Sequence, residues 1–182
     1  MKRSVVVLAI CGFAFAASAG DLYVGAGEAY ATIQDAVDAA GSGDVIHVAA
    51  GVYDVGGRGL GNENTSNRVV IASKSNLTII GAGRGKTIVR GSRTAGEGAG
   101  TTGSANMVAN GKAWRCFRVY NSSGIVVSDM TLECGEVKCV NMGSGDSGGA
   151  VYVSGNFDVT FVDCDMSTCA AQIGRASCRE RV

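Results

Sequence analysis

Two stretches of the chain superimpose at a fixed offset of 34 residues. FRVYNSSGIVVSDMTL (117–132) lies over VYVSGNFDVTFVDCDM (151–166). Phe117 then matches Val151, Val119 matches Val153, Ile125 matches Val159 and Val127 matches Phe161. Asp129 falls on Asp163 and Leu132 on Met166. An earlier stretch, VVIASKSNLTIIGAG, fits the same template 48 residues upstream, placing Val69, Ile71, Leu77 and Ile79 on Phe117, Val119, Ile125 and Val127. The Gly- and Ser-rich insertion at 91–111 accounts for the longer offset. Repetition at this period means stacked units. Each unit has too little apolar surface to fold alone, and stacking puts like residues in columns around a shared core. Adjacent strands would lie about 4.8 Å apart.

The local text agrees. Short apolar, β-branched runs occur at 45–48, 68–72, 77–80, 87–89, 116–120, 125–127, 150–153 and 159–162. Gly, Asn, Ser and Asp separate them, which is strand-and-turn punctuation. One segment differs. Thr32 with Asp35 reads as a capping box, and Ile33, Ala36, Val37 and Ala40 share a helical face. Gly41 is a suitable stop. The pattern predicts a helix over 33–40 that covers the open first coil, whose edge would otherwise expose unpaired backbone groups.

Composition is consistent with this reading. The chain is 46% apolar and 18% charged, which fits a packed core and not a disordered chain. It has 28 Gly, no Pro and no three-residue period, so it is not collagen-like. Ladders that need every backbone N–H explain the missing Pro. Net charge is +0, which gives no reason to expect a nucleic acid as partner.

Both ends stand apart. Lys2 and Arg3 precede an apolar stretch from Val5 to Ala17, and Ala17-Ser18-Ala19 is a small-x-small cleavage site. Residues 1–19 therefore read as a bacterial-type signal peptide, too short to span a bilayer. The mature chain is expected to begin at Gly20 and to be secreted or displayed at the cell surface. At the other end, 173–182 reads IGRASCRERV. All ten codons of a back-translation (ATC GGA AGA GCG TCG TGT AGG GAA AGA GTG) fit a common short-read sequencing adaptor, so this tail is expected to be non-native. Residues 20–172 are then the N-terminal part of a β-helix domain. They carry 11 Lys and Arg against 15 Asp and Glu, a net charge of −4. An acidic polymer would need a local basic strip or a bridging cation to bind such a surface.

YATIQDAVDAAGSGDVIHVAAGVYDV (30–55) resembles the opening of pectin-lyase-like right-handed parallel β-helix proteins. In that family a capping helix leads into a first coil reading roughly GD-x-I-x-V-x-x-G-x-Y. Asp44, Ile46, Val48, Gly51 and Tyr53 stand at those positions. NLTIIGAGRGKTIVRG (76–91) resembles the next coil. The resemblance implies an all-β, right-handed parallel β-helix with a short N-terminal capping helix. It says little about activity, because the fold carries lyases, hydrolases, esterases and adhesins. Asp129 and Asp163 occupy the family's bend position, where Asn usually forms an internal ladder, and Gly81 does so upstream. Stacked carboxylates there would repel, raising a pKa or inviting a cation, and the pair reads as an Asp variant of the ladder in preference to a catalytic pair.

The resemblance implies a polysaccharide partner, most plausibly an acidic plant or algal polymer. If the chain is a lyase, the reaction would be a β-elimination. Ca²⁺ would acidify the proton beside the uronate carboxylate, and a basic side chain would remove it. Acidic candidates for Ca²⁺ are Asp146 and Asp165, with Asp158, Glu133 and Glu136; basic candidates are Arg118 and Lys138. No catalytic residue is identifiable, because none of these lies in a motif of the lyase set. The alternative is a non-enzymatic adhesin or autotransporter passenger, which GGAVYV (148–153) and the Cys-bearing coils resemble. In that case a membrane anchor would lie further downstream.

Other motifs read as structural. GDSGG (145–149) looks like a serine-protease nucleophile segment, but the only imidazole is His47 on a strand-like run, and Ala150 follows where that family has Pro. GAGRGKT (81–87) fails the phosphate-loop spacing at Ile80 and reads as a turn, so no nucleotide is expected. Asn64, Asn76 and Asn121 open N-x-Ser/Thr triplets of the kind that turns produce by chance. Cys116, Cys134, Cys139, Cys164 and Cys169 lie in an oxidising compartment. Pairs Cys134/Cys139 and Cys164/Cys169 could close small loops, Cys134/Cys169 could bridge coils, or the thiols could pack as small hydrophobes.

Overall fold

The computed structural model describes residues 19–58, 66–91, 114–135, 149–155, 157–167 and 169. Their elements are β1 (Asp21–Val24), α1 (Ile33–Ala39), β2 (Val45–Val48), β3 (Gly51–Tyr53), β4 (Ser66–Ala72), β5 (Thr78–Gly81) and β6 (Thr87–Arg90). Then come β7 (Trp114–Tyr120), β8 (Ser123–Glu133), β9 (Val151–Ser154) and β10 (Phe157–Ser167). All pairings between these strands are parallel. One ladder runs β4-β7-β9. The other runs β1-β2-β5-β8 and, through the far half of β8, on to β6-β3, with β10 beside β8. The fold is an all-β parallel β-helix with one short helix.

The columns expected from the repeats are present. Val69, Phe117 and Val151 stand in register, as do Ile71, Val119 and Val153. Ile46, Ile79, Val127 and Phe161 form another column, and Tyr53, Val89, Leu132 and Met166 a fourth. These like-on-like contacts make the core. Tyr53 ends its strand with its hydroxyl donating to the Ala49 carbonyl at 3.0 Å, and burial pushes its pKa up.

The offset is not uniform. Thr78 pairs Val126 at 48, but Ile88 pairs Thr131 at 43. The five-residue difference is the turn 82–86, which takes the place of the bend inside β8. That bend is at Asp129, and β10 repeats it at Asp163, with φ of 57° and 50°. One left-handed residue lets a single strand serve two faces. Gly81, the upstream equivalent, has no positive φ. It lies directly under the Asp129 carbonyl, where a Cβ would collide. β8 and β10 are thus longer than the predicted runs, while β1 and β3 are short strands that the periodicity did not mark.

α1 caps the stack as predicted. The Thr32 hydroxyl accepts from the Asp35 N–H at 3.1 Å. Ile33, Gln34, Ala36 and Val37 are buried. Gln34 does what a missing strand would do for β4. Its Oε1 accepts from the Val70 N–H at 2.6 Å, and its Nε2 donates to the Val70 carbonyl at 3.1 Å. The helix ends differently from the prediction. Ala40 turns extended, and Lys74 Nζ reaches the freed carbonyls of Asp38 and Ala40, at 3.2 and 2.6 Å. A cation at a helix C-terminus also suits the dipole. Gly41 instead donates its N–H to Asp44.

Candidate functional site

The outer side of β4-β7-β9 concentrates cations and rings. Arg118 and Tyr152 are register partners on β7 and β9. The Arg118 guanidinium sits 4.1 Å from the Tyr152 ring centre and 5.4 Å from that of Tyr120. It donates to Ser154 Oγ at 3.0 Å and to the Val119 carbonyl at 2.9 Å. Arg115 stands 5.0 Å from the same Tyr152 ring and donates to Asn67 Oδ1 at 3.2 Å. Arg68 lies 4.3 Å over Trp114 and donates to the Gly56, Arg90 and Gly91 carbonyls. Register places Tyr152 opposite Arg118 and Asn67 opposite Arg115.

Arg68, Arg115 and Arg118 are 4%, 0% and 5% exposed, while Tyr120 is 38% exposed. The guanidiniums are therefore built into the wall and held permanently charged. They can supply a positive field and polarised rings. As fixed cations they are poor proton acceptors. Arg118, a basic candidate from the sequence, is one of these buried guanidiniums.

A second feature lies on the outside of β1 and β2. Tyr23 and His47 are register partners and stack at 5.0 Å with planes 17° apart. Asp21 Oδ1 lies 2.7 Å from His47 Nε2. Val48, Ala49, Ile80, Gly81 and Glu28 complete a shallow hollow of about 240 Å³. His47 faces away from the buried Ile46 and Val48, as strand alternation predicts. The Asp21 partner and the Tyr23 stack were not foreseen, because the first strand was not recognised.

The remaining candidates are placed as follows. Asp165 is an exposed residue of β10, 3.5 Å from Arg84. Glu133 is paired with Arg90, whose Nε donates to it at 2.6 Å. Asp158, the second residue of β10, adopts a left-handed backbone, φ 57°. Asn76 and Asn121 do the same at 52° and 46°. Asn76 Oδ1 overhangs Gly124 of the next coil, 2.6 Å from where a Cβ would stand. Asp146, Glu136, Lys138, Cys139, Asn64 and most of GDSGG lie outside the described residues, as do 1–18 and 173–182. Among the described residues no group of three or more His, Cys, Asp or Glu could hold a metal ion. The GAGRGKT segment forms the turn between β5 and β6.

Asp44 of the family-like GD pair is structural. It accepts from the Gly20 N–H at 2.8 Å and the Gly41 N–H at 2.7 Å. These bonds, the Gly20 one foremost, hold its carboxyl below the usual range. No disulfide joins Cys116, Cys134, Cys164 or Cys169 to another of these four.

No family model matches the sequence, and no curated protein matches it. Among solved structures, the chain is similar to a crystal structure of a pectin methylesterase mutant in complex with a hexasaccharide. The TM-score is 0.45 and the identity 16%, over 82% of this chain and 50% of that one. The chain spans about half the length of that structure.

Proposed function

We propose that this chain is part of an exported, pectin-lyase-like β-helix protein that binds an acidic extracellular polysaccharide across the outer face of β4-β7-β9. The supporting observation is the row in which Arg115 and Arg118 flank Tyr152 and Arg118 backs the exposed Tyr120. Buried behind the exposed Tyr120, these guanidiniums would act on an anionic polymer through their field and not by direct contact. Fixed guanidiniums attract carboxylates without losing side-chain entropy on binding, and an exposed ring gives a sugar a flat apolar contact. The hollow at Tyr23 is less suited to this ligand, because Asp21 and Glu28 put carboxylates beside it.

The test is a binding titration with polygalacturonate and with a neutral glucan. Tyr120→Ala should weaken polygalacturonate binding about tenfold, an effect typical of one central aromatic contact. Tyr23→Ala should leave it unchanged. Equal binding of both polymers, or an effect of Tyr23→Ala alone, would contradict the assignment. Appearance of unsaturated uronide products would extend the reading to a lyase.

A further inference from the structure

The fold gathers three cysteines that are far apart in sequence. Cys116, on β7, is fully buried, and its Sγ contacts the Val89 and Glu133 carbonyls, each at 3.4 Å. Cys169 follows β10 and packs half-buried against the same core. Its Sγ contacts the Leu132 carbonyl at 3.7 Å and the Ser167 carbonyl at 3.2 Å. The two thiols thus meet the carbonyls of adjacent residues, Glu133 and Leu132, at the end of β8. Cys134, next along the chain, is buried, and its N–H donates at 3.3 Å to the Ser167 carbonyl that Cys169 also meets. Cys164 lies elsewhere, with its Sγ 3.7 Å from the Val127 carbonyl, five residues earlier on β8. Cys169 is therefore brought to Cys116 and not to Cys164.

We propose that Cys116 and Cys169 are an oxidisable pair whose disulfide staples the last described coil to the coil before it. The co-reactant is a low-molecular-weight disulfide. Cys169, the more accessible thiol, loses its proton and attacks one sulfur of that disulfide. A mixed disulfide forms and the first small thiolate leaves. Cys116 then gives up its proton and attacks the Cys169 sulfur, and the second small thiolate leaves. The two protein protons end on the two released thiols, so one external disulfide is reduced for each protein disulfide formed. Burial pushes the Cys116 thiol up, which fits its acting second. A disulfide between coils closes a long loop and so constrains the unfolded chain.

The test treats the purified protein with oxidised glutathione, alkylates it, and maps tryptic peptides by mass spectrometry. A Cys116 peptide linked to the peptide bearing Cys169 is expected. The link should vanish in Cys169→Ala, leaving Cys116 alkylated, and persist in Cys134→Ala, Cys139→Ala and Cys164→Ala. The thermal midpoint of the unsubstituted protein should rise by about 5–10 °C on oxidation and fall back with dithiothreitol. A Cys116 that stays free after oxidation, a link that survives Cys169→Ala, or an unchanged midpoint would overturn the proposal.

Discussion

The two ends of the described stack use the same columns in opposite ways. At the first coil, Ile46 and Val24 are buried beneath α1 and the neighbouring strands. At the last, Val153 is 41% exposed and Met166 37%, although their partners one coil earlier, Val119 and Leu132, are at 0%. The residue types are alike and the register is intact. What differs is the neighbour. β8 has strands on both sides, whereas β9 and β10 pair on one side only among the described residues. Burial in a stacked fold thus belongs to the position in the stack, not to the residue. Gln34 shows the other half of the lesson, since one amide side chain answers both polar groups of Val70 at an edge.

Truncating the two phenylalanine rings that meet in the core should expose this difference most strongly. Phe117 and Phe161 touch edge to face at 5.8 Å, but Phe117 is fully buried and Phe161 only half-buried. Phe117→Ala should cost about 3–5 kcal/mol and Phe161→Ala about 1–2 kcal/mol in urea unfolding. Equal costs would break the comparison. Next in size is the cap. Gln34→Ala leaves the Val70 amide and carbonyl unanswered and should cost about 1–3 kcal/mol.

A smaller effect concerns association. Met166→Lys at the exposed end should change stability by less than about 0.5 kcal/mol while reducing self-association in sedimentation velocity. The smallest effect is at Asp44. Folding lowers its pKa below the ordinary carboxyl value, so its contribution is present above that value and fades as pH falls through the folded-state value. The group is partly exposed, so solvent screens the effect. Asp44→Asn should flatten only a slight fall in the unfolding midpoint between pH 5 and pH 3, a range set by the carboxylate pKa.

Much of the fold was legible because stacking writes itself as repetition. The 34-residue offset placed Phe117 on Val151 and Val127 on Phe161 before any coordinates, and both registers hold. The Thr32 cap was equally local. What escaped depended on non-local partners. β1 and β3 have too few residues for periodicity to register. The shift from 48 to 43 arises because a turn replaces a bend, which a gap-free alignment cannot show. Little of the candidate site was legible. Arg118 could be named as a basic residue, but its stacking between Tyr120 and Tyr152 needs the strands paired first. Likewise Cys116 drew no pairing from its spacing, because its partner is reached only through the stack.

Amide hydrogen exchange read strand by strand tests the central claim most directly. Among the described strands, stacking beneath the α1 cap predicts slowest exchange in β2, β5 and the first half of β8. Protection should hold through α1 and drop sharply in β9 and β10. Uniform protection along the coils, or exchange fastest at α1 and β2, would contradict the account.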